Sequence, residues 1–90
     1  MKIKLVQTCI ACPEQYDAFD EKGNLVGYLR LRHGTFRVEV PDIGGKLVYS
    51  AHPRGGGAFM DDEQKYFLNQ AIVAIKQEIR NTNQAFNGEE

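Results

Sequence analysis

Alternating apolar and polar residues dominate the first half of the chain and predict β-strands. Ile3 and Leu5, for example, alternate with Lys2 and Lys4, as in a strand that buries one face. The strongest pattern of this kind, residues 25–32, is rich in leucine and arginine. The predicted strands are residues 2–8, 15–20, 25–32, 35–40 and 46–51.

Two short breaks in this pattern predict hairpins. A glycine and an asparagine at residues 23–24 supply the positive φ angles that a turn needs, and His33 with Gly34 forms a two-residue break. Residues 41–45 and 52–57 are rich in glycine and proline and are predicted to be loops. The first part of the chain therefore predicts an antiparallel sheet.

The apolar period changes to three and four residues from Asp61 onward, which predicts a helix over residues 61–80. Its apolar stripe consists of Leu68, Ala71, Ile72, Ile75 and Ile79. Asp61 and Gln64 have the spacing of a capping box. The predicted fold class is α+β, an antiparallel sheet of about five strands in two hairpins, covered by one C-terminal helix. One domain is expected over residues 1–81, followed by a polar tail, residues 82–90, that frays.

The predicted turn at residues 33–34 fixes how the two strands beside it pair. Arg30 then lies opposite Arg37, and the apolar residues of both strands fall together on the other face. The polar face carries Tyr28, Arg30, Arg32 and Arg37. Like charges directly opposite on a sheet cost roughly a few tenths of a kcal/mol, so an anion between the two arginines is expected.

Two kinds of anion could satisfy these arginines. Glu39 and Asp17 are internal candidates, and a salt-bridged, solvated sheet face needs no ligand. A bound phosphate or carboxylate is the functional alternative, because guanidinium groups hold both in bidentate geometry. Tyr28 could then stack on the base of a nucleotide, or on single-stranded nucleic acid.

A glycine-rich loop, residues 55–57, precedes the predicted helix and follows His52 and Arg54. Backbone N–H groups at a helix start can cradle an anion, and a plain connector is the alternative. A nucleotide-hydrolysing P-loop is excluded, because acidic residues occupy 61–63 where that loop has a lysine and a hydroxyl residue. The candidate ligand-binding residues are Tyr28, Arg30, Arg32, Arg37, His52 and Arg54.

Cys9 and Cys12 have the spacing of half a zinc site, which His33 and His52 could complete. Zinc fingers usually present their second pair of ligands close together, so the favoured interpretation is two buried free cysteines at a strand end. Cys12 with either histidine could pair a nucleophile with a base, but no motif frames them. The sequence therefore predicts no enzyme and no cofactor, with zinc as the open alternative.

Composition and charge limit these hypotheses. Ninety residues, 42% of them apolar, are expected to form one small domain that gains stability from a metal, a ligand or a partner subunit. Tyr66 and Val73 fall outside the main apolar stripe, which predicts a homo-oligomer through the C-terminal helix, with ordinary exposure as the alternative.

The net charge of −1 argues against nucleic-acid binding by charge alone. No signal sequence or membrane span is recognised, so a cytoplasmic location is expected.

Three strings carry a resemblance: Cys-Pro-Glu-Gln-Tyr-Asp from Cys12, Gly-Tyr-Leu-Arg-Leu-Arg-His-Gly from Gly27, and the glycine-rich loop leading to Phe59-Met-Asp-Asp-Glu63. They resemble a group of short uncharacterised proteins of bacteria and their phages. The element order is similar to that of the Thoeris anti-defence sponges, phage proteins that sequester cyclic ADP-ribose signals without hydrolysing them. That resemblance implies binding at a subunit interface and assigns no binding residue in this chain.

The first functional hypothesis is therefore non-enzymatic binding and sequestration of a small anionic ligand. A cyclic signalling nucleotide in phage counter-defence is the favoured case. The alternative is a protein-interaction module, zinc-stabilised or bare, whose exposed sheet face docks an acidic partner. Neither hypothesis involves a membrane.

Overall fold

The computed structural model describes the backbone of residues 1–88 and the side chains of residues 1–82. Its elements are β1 (Lys4–Cys9), β2 (Glu14–Phe19), β3 (Leu25–Arg32), β4 (Thr35–Val40), β5 (Lys46–Ala51) and α1 (Gln64–Gly88). The strands form one antiparallel sheet in the order β1-β2-β3-β4-β5, so each strand pairs with its neighbours in sequence. The predicted α+β class, with five strands and one C-terminal helix, is confirmed.

The β3–β4 hairpin has the predicted register. His33 and Gly34 form its turn with φ angles of +52° and +77°, the left-handed geometry that a two-residue hairpin turn requires. Arg30 lies opposite Arg37. The fully buried side chains of the hairpin are Leu29, Leu31, Phe36 and Val38. The sequence predicted the bounds of β3, β4 and β5 correctly and misplaced those of β1 and β2 by one or two residues.

The helix α1 packs across β3, β4 and β5. We call the face of the sheet that it covers the inner face and the opposite face the outer face. Ala71 and Ile75 of α1 are fully buried in the core. The helix lies close to β3 at Gly27, where an added Cβ atom would come within 2.7 Å of Ile75 Cδ1. Phe36 and Phe59, with ring centroids 5.0 Å apart, extend the core to the loop before the helix.

The helix starts at Gln64, three residues later than predicted, and its N-cap is Met60, one residue before the predicted Asp61. The backbone N–H of Met60 donates to Glu63 Oε2 at 2.9 Å, and the N–H of Gln64 donates to the Met60 carbonyl. This is the reach-back half of a capping box, with Met60 at the N-cap position and Glu63 three residues on. The capping box predicted for Asp61 and Gln64 is therefore wrong, and Gln64 donates to Glu14 instead.

The helix also ends later than predicted, at Gly88 rather than residue 80. The fraying of residues 82–90 stays a prediction, and residues 89 and 90 lie outside the described residues. Tyr66 and Val73 are each 59% exposed, and their contact with a second copy also stays a prediction. The described helix lacks the combination of length and apolar character needed to cross a membrane.

Candidate anion-binding site

The outer face carries the charged residues singled out in the sequence. Arg30 of β3 lies between Arg37 of β4 on one side and Gln15 of β2 on the other. The outer face of these three strands includes Gln15, Asp17, Tyr28, Arg30, Arg32, Arg37 and Glu39. Two like charges therefore stand side by side on β3 and β4, which are not edge strands, and their repulsion opposes strand pairing.

Only part of this positive charge is neutralised by other residues of the outer face. Arg37 Nη2 lies 3.3 Å from Glu39 Oε2, and the second oxygen of Glu39 accepts a backbone N–H from the following loop at 3.1 Å. Of the two predicted internal partners, Glu39 therefore pairs with an arginine and Asp17 does not. Within the side chains that the structure describes, Arg30 and Arg32 form no ion pair.

Tyr28 is buried although it stands on the outer face. It is 8% exposed, and its hydroxyl donates to Gln15 Oε1 at 2.8 Å. Burial raises the pKa of this hydroxyl, and the positive charge of Arg30 opposes the shift. The covered ring offers little surface on which a base could stack.

Arg32 also lines a pocket at the turn end of the hairpin. The pocket has a volume of about 310 Å³ and is lined by Cys12, Arg32, His33, Gly34, Gly56 and Gly57. Gly34 donates its N–H to the Gly56 carbonyl at 2.7 Å. The N–H of Cys12 donates to the Gly57 carbonyl at 2.8 Å. These bonds join the glycine-rich loop to the β3–β4 turn and to the segment before β2.

Two residues of this pocket have left-handed backbone angles. Cys12 has a φ of +54° and His33 a φ of +52°, values that residues with a side chain rarely adopt. The hairpin turn accounts for His33, whereas no turn of that kind accounts for Cys12. Backbone strain of this sort concentrates at functional sites, which makes the pocket a second candidate region beside the outer face.

The cysteines are not the buried pair that the sequence favoured. Cys12 is exposed at the pocket, and the half-buried Cys9 donates its thiol to the Ala11 carbonyl at 3.5 Å. Both thiols are free. Among residues 1–82, no group of three or more His, Cys, Asp or Glu side chains is arranged for a metal ion. The structure does not bring Cys9, Cys12, His33 and His52 together as such a group.

Arg54 is held by the acidic start of the helix. Its guanidinium pairs with Asp62, and its Nε lies 3.6 Å from Glu63 Oε1. His52 is exposed directly after β5, and neither His52 nor Arg54 lines the pocket beside Arg32. The structure therefore does not add these two predicted residues to the arginines of the outer face.

Glu63 is a buried carboxylate that sequence reasoning did not select. It is 7% exposed and accepts the backbone N–H groups of Arg54, Gly55 and Met60, each at 2.9 Å. Burial raises the pKa of Glu63, but the three N–H donors and the charge of Arg54 outweigh it and hold that pKa below its ordinary value. The sequence signal for this role was a glutamate three residues after an N-cap. The signal is weak here because the N-cap residue, Met60, lacks the hydroxyl side chain that usually marks that position.

Glu14 is the second unexpected buried carboxylate, 3% exposed. It accepts the N–H of Phe59 and the side-chain amide of Gln64, each at 2.8 Å, together with the hydroxyl of Tyr16. Burial and the neighbouring carboxylate raise the pKa of Tyr16 above its ordinary value, so the hydroxyl stays protonated and donates. Glu14 therefore ties β2 to the loop and to the first turn of α1.

A pocket of similar volume, about 310 Å³, lies between α1 and the ends of the strands remote from the β3–β4 turn. Apolar side chains such as Val26, Val40 and Ile79 provide much of its lining. Its charged groups, Lys46 and Glu78, neutralise each other at 3.1 Å. This pocket therefore presents no unpaired charge from its described lining to an anion.

Acid should destabilise the protein through Glu63. A carboxylate whose pKa is lowered by folding contributes stability above its ordinary pKa of 4.5, and the contribution is lost as the pH falls from there through the lowered value. The melting temperature of the wild type should therefore fall faster below about pH 4.5 than that of Glu63→Gln. Thermal melts recorded between about pH 7 and pH 3 measure both curves. Asp61→Asn, which removes an exposed carboxylate beside the same loop, should follow the wild type; parallel curves for the wild type and Glu63→Gln would contradict the assignment.

Compared with protein-family models, curated proteins and solved structures, the chain matches none of them.

Proposed function

We propose that the protein binds a small anionic ligand on its outer face, between Arg30 and Arg37, and holds it without transforming it. The position of Arg30 carries this proposal, because it stands opposite a second arginine and pairs with no carboxylate of the described residues. Repulsion between facing arginines costs roughly a few tenths of a kcal/mol, and an anion that accepts from both guanidinium groups offsets that cost.

A phosphate group is the favoured anion, because its oxygens accept from two guanidinium forks at once. The resemblance to the Thoeris sponges extends the proposal to a cyclic signalling nucleotide, held intact in the cytoplasm during phage counter-defence. Since the ring of Tyr28 is covered, the phosphates rather than the base supply the main contacts. Binding of an acidic peptide in place of any phosphate compound would favour the interaction module instead.

Replacing Arg30 by glutamine should weaken binding of pyrophosphate and of cyclic nucleotides at least about tenfold. Each charge-assisted hydrogen bond lost costs about 1.5 to 3 kcal/mol, and 1.4 kcal/mol corresponds to a tenfold change in Kd. The unliganded variant should be as stable as the wild type, or more stable by roughly a few tenths of a kcal/mol, because repulsion from Arg37 is relieved. Titration calorimetry measures the affinity, and mass spectrometry of the recovered ligand shows whether it is intact.

Lys65→Gln is the matched control, since it removes one exposed positive charge from α1 and should leave these affinities unchanged. Arg37→Gln should weaken the same ligands, but its unliganded stability should not rise, because it also loses the bond to Glu39. If Arg30→Gln binds like the wild type, or if no phosphate compound binds the wild type, the proposal is wrong.

A further inference from the structure

Arg32 connects the outer face to the pocket at the hairpin turn. It follows Arg30 by two residues on β3 and therefore projects from the same face. It also lines the pocket together with Gly56 and Gly57. Because a strand rises about 3.4 Å per residue, the two arginine positions are roughly 7 Å apart. The outer face and the pocket are therefore neighbouring parts of one continuous surface.

The three glycines of the loop differ in what packing demands of them. A Cβ atom added at Gly55 would lie 1.7 Å from the carbonyl oxygen of Ala58, and one added at Gly57 would lie 2.7 Å from Cys12 Sγ. One added at Gly56 would meet nothing within 4 Å. Packing therefore explains glycine at two positions, whereas at Gly56 the missing side chain leaves the backbone open to the pocket.

The charges around the pocket favour an anion. Arg32 brings a positive charge, His33 brings a ring that can donate a hydrogen bond, and the lining contains no acidic residue. Of the acidic side chains just before α1, Asp62 and Glu63 pair with Arg54, and Asp61 does not line the pocket. An anion in the pocket would therefore meet attraction from Arg32 with no carboxylate in the lining to oppose it.

We propose that this pocket is a second anion subsite, so that the ligand carries two anionic groups roughly 7 Å apart. One group lies between Arg30 and Arg37, and the other lies against Arg32, in the space that the absence of a side chain at Gly56 leaves open. The inference rests on the proposed function, because it assigns the second half of the same ligand. The ligand class is a small molecule with two separated phosphate groups, since the pocket volume of about 310 Å³ suits a compact terminal group.

Two linear bisphosphonates test the spacing at equal charge. A four-carbon linker lets the phosphonates reach both subsites, whereas a one-carbon linker holds them too close together. Calorimetry on the wild type should give at least about tenfold tighter binding for the four-carbon compound, the gain expected when a second charged group is engaged. Gly56→Ala and Arg32→Gln should each bring the ratio of the two affinities close to one. Lys65→Gln should keep the wild-type ratio.

The outcomes separate this inference from the proposed function. If both bisphosphonates bind equally to the wild type and Arg30→Gln weakens both, the second subsite is wrong and the outer-face site stands. If neither bisphosphonate binds, both proposals fail. If a single-stranded oligonucleotide binds more tightly than the four-carbon compound, the ligand class is wrong. Thermal melts of Gly56→Ala and Arg32→Gln verify that each variant is folded.

Discussion

Glu14→Ala should lower the free energy of unfolding by about 3 to 5 kcal/mol. The carboxylate is 3% exposed, so the donors that it satisfies are themselves shielded from water. Its removal leaves the Phe59 N–H, the Gln64 amide and the Tyr16 hydroxyl without their acceptor. A buried donor left unsatisfied costs about 1 to 3 kcal/mol, and the cavity left by the side chain adds to the loss.

Urea denaturation measures this loss, and two variants act as controls. Glu14→Gln keeps one oxygen acceptor and should lose clearly less stability than the alanine variant. Glu21→Ala removes an exposed glutamate at the β2–β3 turn and should stay within about 0.5 kcal/mol of the wild type. Equal losses for Glu14→Ala and Glu21→Ala would show that the buried network does not hold the loop.

Gly55→Ala should cost about 3 kcal/mol, the upper end of what overpacking usually costs. The added Cβ would overlap the Ala58 carbonyl, which is backbone and cannot rotate away as a flexible side chain can. The loop must then shift, and with it Phe59, which is 8% exposed and packs against Phe36 in the core. The N–H of Gly55 also loses its alignment with the Glu63 carboxylate.

Gly56→Ala is the matched control for this change, one residue away in the same loop. Its added Cβ meets nothing within 4 Å, so the variant should keep its stability or gain up to about 1 kcal/mol through a less flexible unfolded chain. Chemical denaturation of both variants under one condition gives the comparison. Equal stability of the two alanine variants would refute the packing described for the loop.

The β3–β4 hairpin could be predicted from the sequence because two local signals agree. The His33-Gly34 turn sets the pairing, and alternation then decides which residues share a face. A shift of one residue would have exposed Leu29 and buried Arg30, so the pattern itself excludes the wrong register. The facing pair of Arg30 and Arg37 followed from the same reasoning and is confirmed.

The loop and the start of α1 could not be predicted in the same way. The groups that donate to Glu14 lie 45 and 50 residues further along the chain, so no local sequence pattern predicts them. Arg54 was a candidate ligand residue because it stands beside the glycine-rich loop, and its pairing with Asp62 and Glu63 follows no local sequence pattern. The cap at Glu63 was missed since Met60 carries no hydroxyl or carboxylate to signal an N-cap. Each of these features depends on how the folded loop closes.

The separation of the two sheet faces has an evolutionary consequence. Substitutions on the outer face can change the proposed ligand binding without touching the core, because Leu31 and Phe36 point the other way. Related chains are therefore free to diverge at positions such as Arg30 and Arg37 and keep the same fold. Insertion of one residue within β3 would have the opposite effect, because it exchanges the two faces beyond that point and would disrupt both the proposed anion site and the core.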